Sequence, residues 1–150
     1  MHSKHHYLNL SIMTVLSFIS MYVFMFAMVN AFENVYGNLN QFYMAGLMTA
    51  PMILIELALM WAMYENRSAN IAIMAISAVA LVAFFVAIRQ QTAIGDSSFL
   101  KSMIPHHAGA ILMCEKAPIQ DAEIKKLCGE IISSQQREID QMKLILARLR

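Results

Sequence analysis

The 150-residue sequence predicts an all-α protein in which three transmembrane helices are followed by a soluble helical hairpin, a half-bundle completed by oligomerisation. Three observations carry this expectation. Hydrophobic residues make up 59% of the chain and charged residues only 14%, which is too apolar for an ordinary soluble domain. No Asp, Glu, Lys or Arg occurs between Lys4 and Glu33 or between Arg67 and Arg89, so each interval can supply the roughly 20 apolar residues that span a bilayer. Finally, eight of the eleven Lys and Arg and seven of the ten acids lie after residue 89, which divides a membrane half from a water-soluble half.

Taken in order, the first helix runs from about Tyr7 to Asn30. A signal peptide is the competing interpretation, because Lys4 precedes an apolar run and Val29-Asn30-Ala31 resembles a cleavage site. The run from Leu8 to Val29 exceeds an h-region of roughly 7 to 15 residues, so an uncleaved anchor is expected. The segment AFENVYGNLN then makes a short polar connection. The second span, ending at about Tyr64, includes YMAGLMTAPMILIELALMWAMY, interrupted only by Glu56. ENRSAN turns the chain, the third helix occupies about Ile71 to Ile88, and Arg89 with Gln90 and Gln91 marks the far interface.

These elements define a membrane region over residues 1–89, a linker over 90–98 containing TAIGDSS, and a hairpin domain over 99–150. Ser97 or Ser98 is expected to cap the first hairpin helix, with Pro105 inside its first turns, where proline is best tolerated. APIQD breaks that helix, and Asp121 caps the next one. Its apolar positions Ile124, Leu127, Ile131, Ile132, Ile139, Met142, Ile145, Leu146 and Leu149 keep a three-to-four spacing. A hairpin of about 50 residues cannot cover this stripe alone, and a second copy forming a four-helix bundle is the expected cover; packing on the membrane region is the alternative.

In the membrane half, Glu56 falls in the middle of helix two, where a carboxyl must be protonated or partnered. Met52, Met60 and Met63 share its face, and Met21, Met25 and Met28 form a second stripe on helix one. Together these could pass or hold a soft cation. The plainer alternative is a neutral Glu56 hydrogen-bonded to a neighbouring helix, with the methionines packing the bundle.

The most chemically loaded stretch is MIPHHAGAILMC, residues 103–114. At about 100° per residue, Met103, His106, His107, Ala110, Met113 and Cys114 fall within an arc of roughly 120°, opposite Lys101, Ile104, Ala108 and Ile111. Imidazole, thioether and thiolate donors favour copper, especially Cu(I), whereas zinc does not require methionine. On the second helix Cys128, Gln135, Glu138 and Met142 share a face, and folding about APIQD sets Cys114 level with Cys128 and Met103 level with Glu138. The same residues also fit an ordinary core, with methionines packing and the histidines satisfied by Gln135 or Glu138. Spacing alone leaves both open. The two cysteines have three readings: small buried hydrophobes, a disulfide across the hairpin, or thiolate ligands.

FLKSMIPHHAGAILM followed by LCGEIISSQQREIDQM resembles the domain-of-unknown-function 305 family, whose signature places Met, Pro-His-His, small residues and Met on one helix and Gln, Glu-Ile and Met on the next. The resemblance covers about Phe99 to Leu149, a third of the chain. It implies a ferritin-like helical fold and, through the copper-binding CopM-like branch, periplasmic copper binding by Met and His. Carried over by position, it implies Met103, His106, His107, Met113 and Met142 as copper ligands, with Gln135 and Glu138 supporting them. Cys114 stands where many members carry a small residue, so its role, and that of Cys128 as a further donor, is not part of the pattern.

The charges flanking the spans do not decide orientation, since Lys4 and Arg67 lie on one side and Arg89 and Lys101 on the other. Family habit puts the hairpin in the periplasm of a bacterial inner membrane, leaving His2, His5 and His6 in a disordered polar cytoplasmic tail. A net charge of +1 offers no field for nucleic acid, so the expected partners are the lipid bilayer and further copies of the chain, a dimer first. A di-iron oxidase would need Glu-x-x-His pairs, which are absent, as are a phosphate-binding Gly-rich loop, HExxH and a nucleophile elbow. No enzyme activity is expected. The expected function is membrane-anchored copper binding for homeostasis or tolerance. The alternatives are an oligomerisation or interaction module without metal, and a small transporter subunit using Glu56.

Overall fold

The computed structural model describes residues 2–149, with side chains from residue 5 onward, so the side chain of His2 lies outside the described residues. Five α-helices follow one another: α1 (His2–Phe24), α2 (Leu39–Leu59), α3 (Arg67–Gln90), α4 (Asp96–Lys116) and α5 (Ala122–Arg148). No strand occurs among the described residues. Three segments are long and apolar enough to cross a membrane: His5–Met28, Leu39–Leu59 and Arg67–Gln90. The expected all-α class with three spans and a hairpin therefore holds.

The chain divides into two compact units. One combines Met1–Phe24 with Asn40–Thr92; the other combines Met25–Leu39 with Ala93–Arg150. The connection between the first two spans is thus grouped with the hairpin helices. Counting α1, α2 and α3 as crossings, that connection and everything after α3 emerge on the same side, so the arrangement of the spans allows them to pack.

In the three-helix unit, polar ties hold each end. At one end the Tyr7 hydroxyl donates to Asn70 Oδ1 at 2.7 Å, and buried Asn70 donates through Nδ2 to the Tyr64 carbonyl at 2.9 Å. At the other end the amides of Asn40 and Gln91 exchange hydrogen bonds at 3.1 Å, while the Tyr43 hydroxyl donates to the Thr92 carbonyl at 2.8 Å. Between them Ala45, Gly46, Thr49 and Ala50 of α2 and Ser77 of α3 are buried. At Gly46 a Cβ would stand 2.5 Å from the Phe84 ring, so only a glycine admits that aromatic edge.

Several helix limits differ from the sequence reading, each for a local reason. α1 starts at His2, so His5 and His6 are helical and not a disordered tail. After Phe24 the chain tightens into 3-10 turns at Met25–Met28 and Phe32–Asn34. α2 stops at Leu59, because the following turn carries Tyr64 back to donate its hydroxyl to Glu56 Oε1 at 3.3 Å. α3 begins at Arg67 behind Asn66, whose side chain accepts from the Ala69 amide, and ends at Gln91 in the left-handed region. α4 begins at Asp96 behind Gly95, with no side-chain cap. Ser97 and Ser98 therefore lie inside its first turn, and Pro105 sits deeper in the helix than the serine caps implied. Asp121 caps α5 as expected, its carboxylate accepting from the Glu123 and Ile124 amides.

The hairpin core joins Leu100, Ile104, Ala108 and Ile111 of α4 to Ile139, Met142 and Leu146 of α5, with Val29 and Tyr36 of the connection packed against it. Ile104, Ile111 and Ile139 are almost completely buried, each stabilising the fold by about 2 kcal/mol on transfer grounds. The connection is held further by Lys143 Nζ to Glu33 Oε1 at 3.1 Å and by Ser102 Oγ to Asn38 Oδ1 at 3.3 Å.

Candidate functional site

The apolar side of α4 determines where its donors go. Ile104, Ala108 and Ile111, expected on the face away from the site, are the face that packs into the core. The soft residues are therefore displaced towards the surface of the helix. His106 and Met113 are exposed, Met103 and Ala110 are half-buried, and His107 and Cys114 lie on the margin that meets α5. The predicted arc is real as helix geometry, but its two edges face different surroundings.

The α5 margin has the defined chemistry. His107 Nδ1 is 3.0 Å from the Met103 carbonyl, and its Nε2 is 3.0 Å from Glu138 Oε2. A carbonyl only accepts, so Nδ1 carries the proton and Nε2 is the nitrogen left to meet either a proton or a metal. The His107 side chain is 12% exposed and that of Glu138 is 51% exposed, so the pair opens to solvent on the carboxylate side. The hairpin register places Cys114 level with Cys128, as expected, while the partner of Glu138 is His107 and not Met103. His106 stands beside it with its ring perpendicular, the centroids 6.0 Å apart.

The remaining predicted donors divide. Met142 is 8% exposed within the apolar cluster, so the core reading applies to it and not the ligand reading. Cys114 and Cys128 are joined in a disulfide with their Cα atoms 5.2 Å apart, which leaves neither as a thiolate donor in this state. The Oε1 of Gln135 is buried without a hydrogen-bond partner, as is Oδ1 of Asn34 in the connection. Among the described residues, no group of three or more His, Cys, Asp or Glu is placed to hold a metal ion.

Glu56 lies in the last turn of α2, not in the middle of a span, and Tyr64 is its partner. The methionine stripes are not continuous either. Met60 and Met63 follow the end of α2, while Met25 and Met28 follow the end of α1 and belong to the hairpin unit. Inside the spans Met21 makes a polar contact, accepting from the Thr49 hydroxyl at 3.6 Å.

Sequence reasoning missed the docking of Met25–Leu39 on the hairpin. Two signals pointed to it: apolar Tyr36 in a segment read as a polar connection, and the small run Ala108-Gly109-Ala110 on α4. A Cβ at Gly109 would lie 3.5 Å from the Met28 carbonyl oxygen and 3.8 Å from its Cβ, so the bare helix surface there is where the connection rests.

With this geometry in hand, comparison with known proteins gives two matches. The family described as Domain of unknown function (DUF305) matches residues 60–147. A protein of Acanthamoeba polyphaga mimivirus, named "Uncharacterized protein L153", is 35% identical over 141 residues, covering 90% of this chain and 89% of its own length. No solved structure matches the chain. Neither match carries an indication of enzyme activity.

Proposed function

This chain belongs to the Domain of unknown function (DUF305) family, and from that premise we propose that it is a membrane-anchored copper-binding protein serving metal homeostasis or tolerance. The observation that carries the reading is the His107 ring, held by the Met103 carbonyl at Nδ1 with Nε2 directed at Glu138. An imidazole fixed in this way presents one nitrogen to an incoming ion and keeps a carboxylate beside it. His106, Met113 and Met103 supply further imidazole and thioether donors from the same side of α4, a set that selects soft copper. Met142 and the two cysteines are left out, the first as core and the others as a disulfide. The ion is cargo held on a binding surface, and no reaction is assigned to it.

The hairpin belongs on the oxidising side of its membrane, the periplasmic side where that membrane is a bacterial inner membrane; the Cys114–Cys128 disulfide supports this placement. Ile124, Leu127 and Leu144 of α5 and Leu149 at its C-cap remain exposed, and a second copy covering this apolar surface would complete the ferritin-like four-helix arrangement.

Titration of Cu(I) into the detergent-purified full chain, read by calorimetry, tests the reading. Wild type is expected to bind, and a His106→Ala, His107→Ala double variant to bind weakly or not at all. Equal and weak binding by both removes copper from the function. The second reading, an interaction module without metal, draws on the absence of a three-residue metal cluster among the described residues and on the same exposed α5 side chains.

A further inference from the structure

We propose that Met28, carried onto α4 by the connection between the first two spans, is a ligand of the soft-metal site together with His106 and Met113. The inference rests on the copper-binding reading and names a donor outside residues 60–147, where the family matches.

Three observations lead to it. First, Gly109 is the point of contact: the Met28 carbonyl oxygen and Cβ lie 3.5 and 3.8 Å from the position a Gly109 Cβ would take, ordinary van der Waals separation. On α4, His106 precedes Gly109 by three residues and Met113 follows it by four, and residues at those spacings are neighbours on a helix surface. Met28 is therefore set down between the two exposed donors. Second, all three side chains are open to solvent; Met28 is 50% exposed and Met113 is 54% exposed, and His106 is exposed as well. Methionine has three rotatable bonds and a polarisable thioether, so neighbouring donors can converge on one ion without moving the backbone. Third, the segment that carries Met28 is already fixed, by Val29 and Tyr36 in the hairpin core, by Lys143 to Glu33 and by Ser102 to Asn38.

The alternative thioether, Met142, would have to leave the apolar cluster to reach any ion. Two thioethers and one imidazole form a donor set for a soft monovalent cation.

Ag(I), a redox-inert soft ion, probes the site without a reductant and so leaves the Cys114–Cys128 disulfide intact. Calorimetric titration of the detergent-solubilised full chain compares wild type with Met28→Leu and Met142→Leu, each near-isosteric and checked for helical content. Met28→Leu is expected to weaken Ag(I) binding by about tenfold or more, as loss of a ligand requires, while Met142→Leu leaves it unchanged. In X-ray absorption the number of sulfur neighbours of bound Ag(I) should fall by about one in Met28→Leu. If wild type binds and Met28→Leu binds equally with the same sulfur count, Met28 is not a ligand and the copper-binding reading stands without it. If wild type takes up no Ag(I), the inference and the reading beneath it both fail.

Discussion

His107 Nε2 stands 3.0 Å from Glu138 Oε2 across the hairpin, a side-chain contact between α4 and α5. Two roles compete for this pair: a surface ion pair that contributes to folding, or a support that orients the imidazole for metal. Their consequences differ. Because the Glu138 carboxylate is half exposed, solvent screening holds its contribution to stability below about 1 kcal/mol. Glu138→Gln is therefore expected to leave the thermal midpoint of the apo protein nearly unchanged while weakening Cu(I) binding roughly 10- to 100-fold. A large fall in apo stability with unchanged metal affinity assigns the pair to folding alone.

The Cys114–Cys128 disulfide closes a short loop, 14 residues apart in sequence, at the end of the hairpin where Ile124 and Leu127 stay exposed. Apolar packing contributes little there, so the crosslink carries much of the local order. By loop-closure entropy, Cys114→Ser with Cys128→Ser should cost about 3 kcal/mol. Chemical unfolding followed by circular dichroism measures the loss, and amide exchange should accelerate over residues 115–130 before the core around Ile104 and Ile139. Uniform acceleration along α4 and α5 would mean the crosslink supports the whole hairpin.

How much of this could be read from the sequence follows from which interactions are local. Charge-free runs determine membrane helices by composition, and Asp121 caps α5 by contacts two and three residues away, so both were predictable. The arc from Met103 to Cys114 also follows from helix geometry alone. Which side of α4 is buried does not, because Ile104, Ala108 and Ile111 compete with the methionines and histidines for the core. The aliphatic residues win: burying them requires no hydrogen-bond partner, whereas an imidazole must find one. The level of the two hairpin helices was legible, since folding about APIQD sets Cys114 beside Cys128, where the disulfide forms. Which residue meets Glu138 was not, because the choice of His107 over Met103 depends on side-chain packing that no spacing rule contains. The docking of Met25–Leu39 depends on contacts 64 to 110 residues apart in sequence, such as Ser102 with Asn38 and Glu33 with Lys143, and the apolar Tyr36 and the small run on α4 hint at it without specifying those partners.

Tyr64 provides a pH-dependent signature at one end of the three-helix unit. It is almost fully buried, and its hydroxyl donates to Glu56. Burial first, and the charge of Glu56 second, hold its pKa above the ordinary 10.0. The folded protein therefore keeps this proton more tightly than the unfolded chain. The associated stability is intact below the ordinary tyrosine value and is lost as pH rises through the higher native one. Absorbance titration of tyrosinate should show a component above 10.0 that disappears in Tyr64→Phe. If the wild-type and variant curves differ only by a tyrosine of ordinary titration, Tyr64 is not shielded as described.

Gly46 and Phe84 fix the approach of α2 to α3. A methyl group at position 46 would stand 2.5 Å from the ring, a separation that no Cβ tolerates, so Gly46→Ala must rotate Phe84 or part the helices. Phe84 also meets Phe42 and Tyr43 edge-on or tilted, with centroids 6.3 and 6.5 Å away, so rotation of the ring disturbs those contacts too. Overpacking of this kind costs about 1–3 kcal/mol. Gly46→Ala alone should lower the unfolding midpoint in detergent, while Gly46→Ala combined with Phe84→Leu should recover part of the loss, because the shorter side chain makes room for the methyl. Measuring both singles and the double gives the coupling directly. Additive losses would show that the Gly46 contact does not set the helix separation, and that the aromatic cluster adapts without strain.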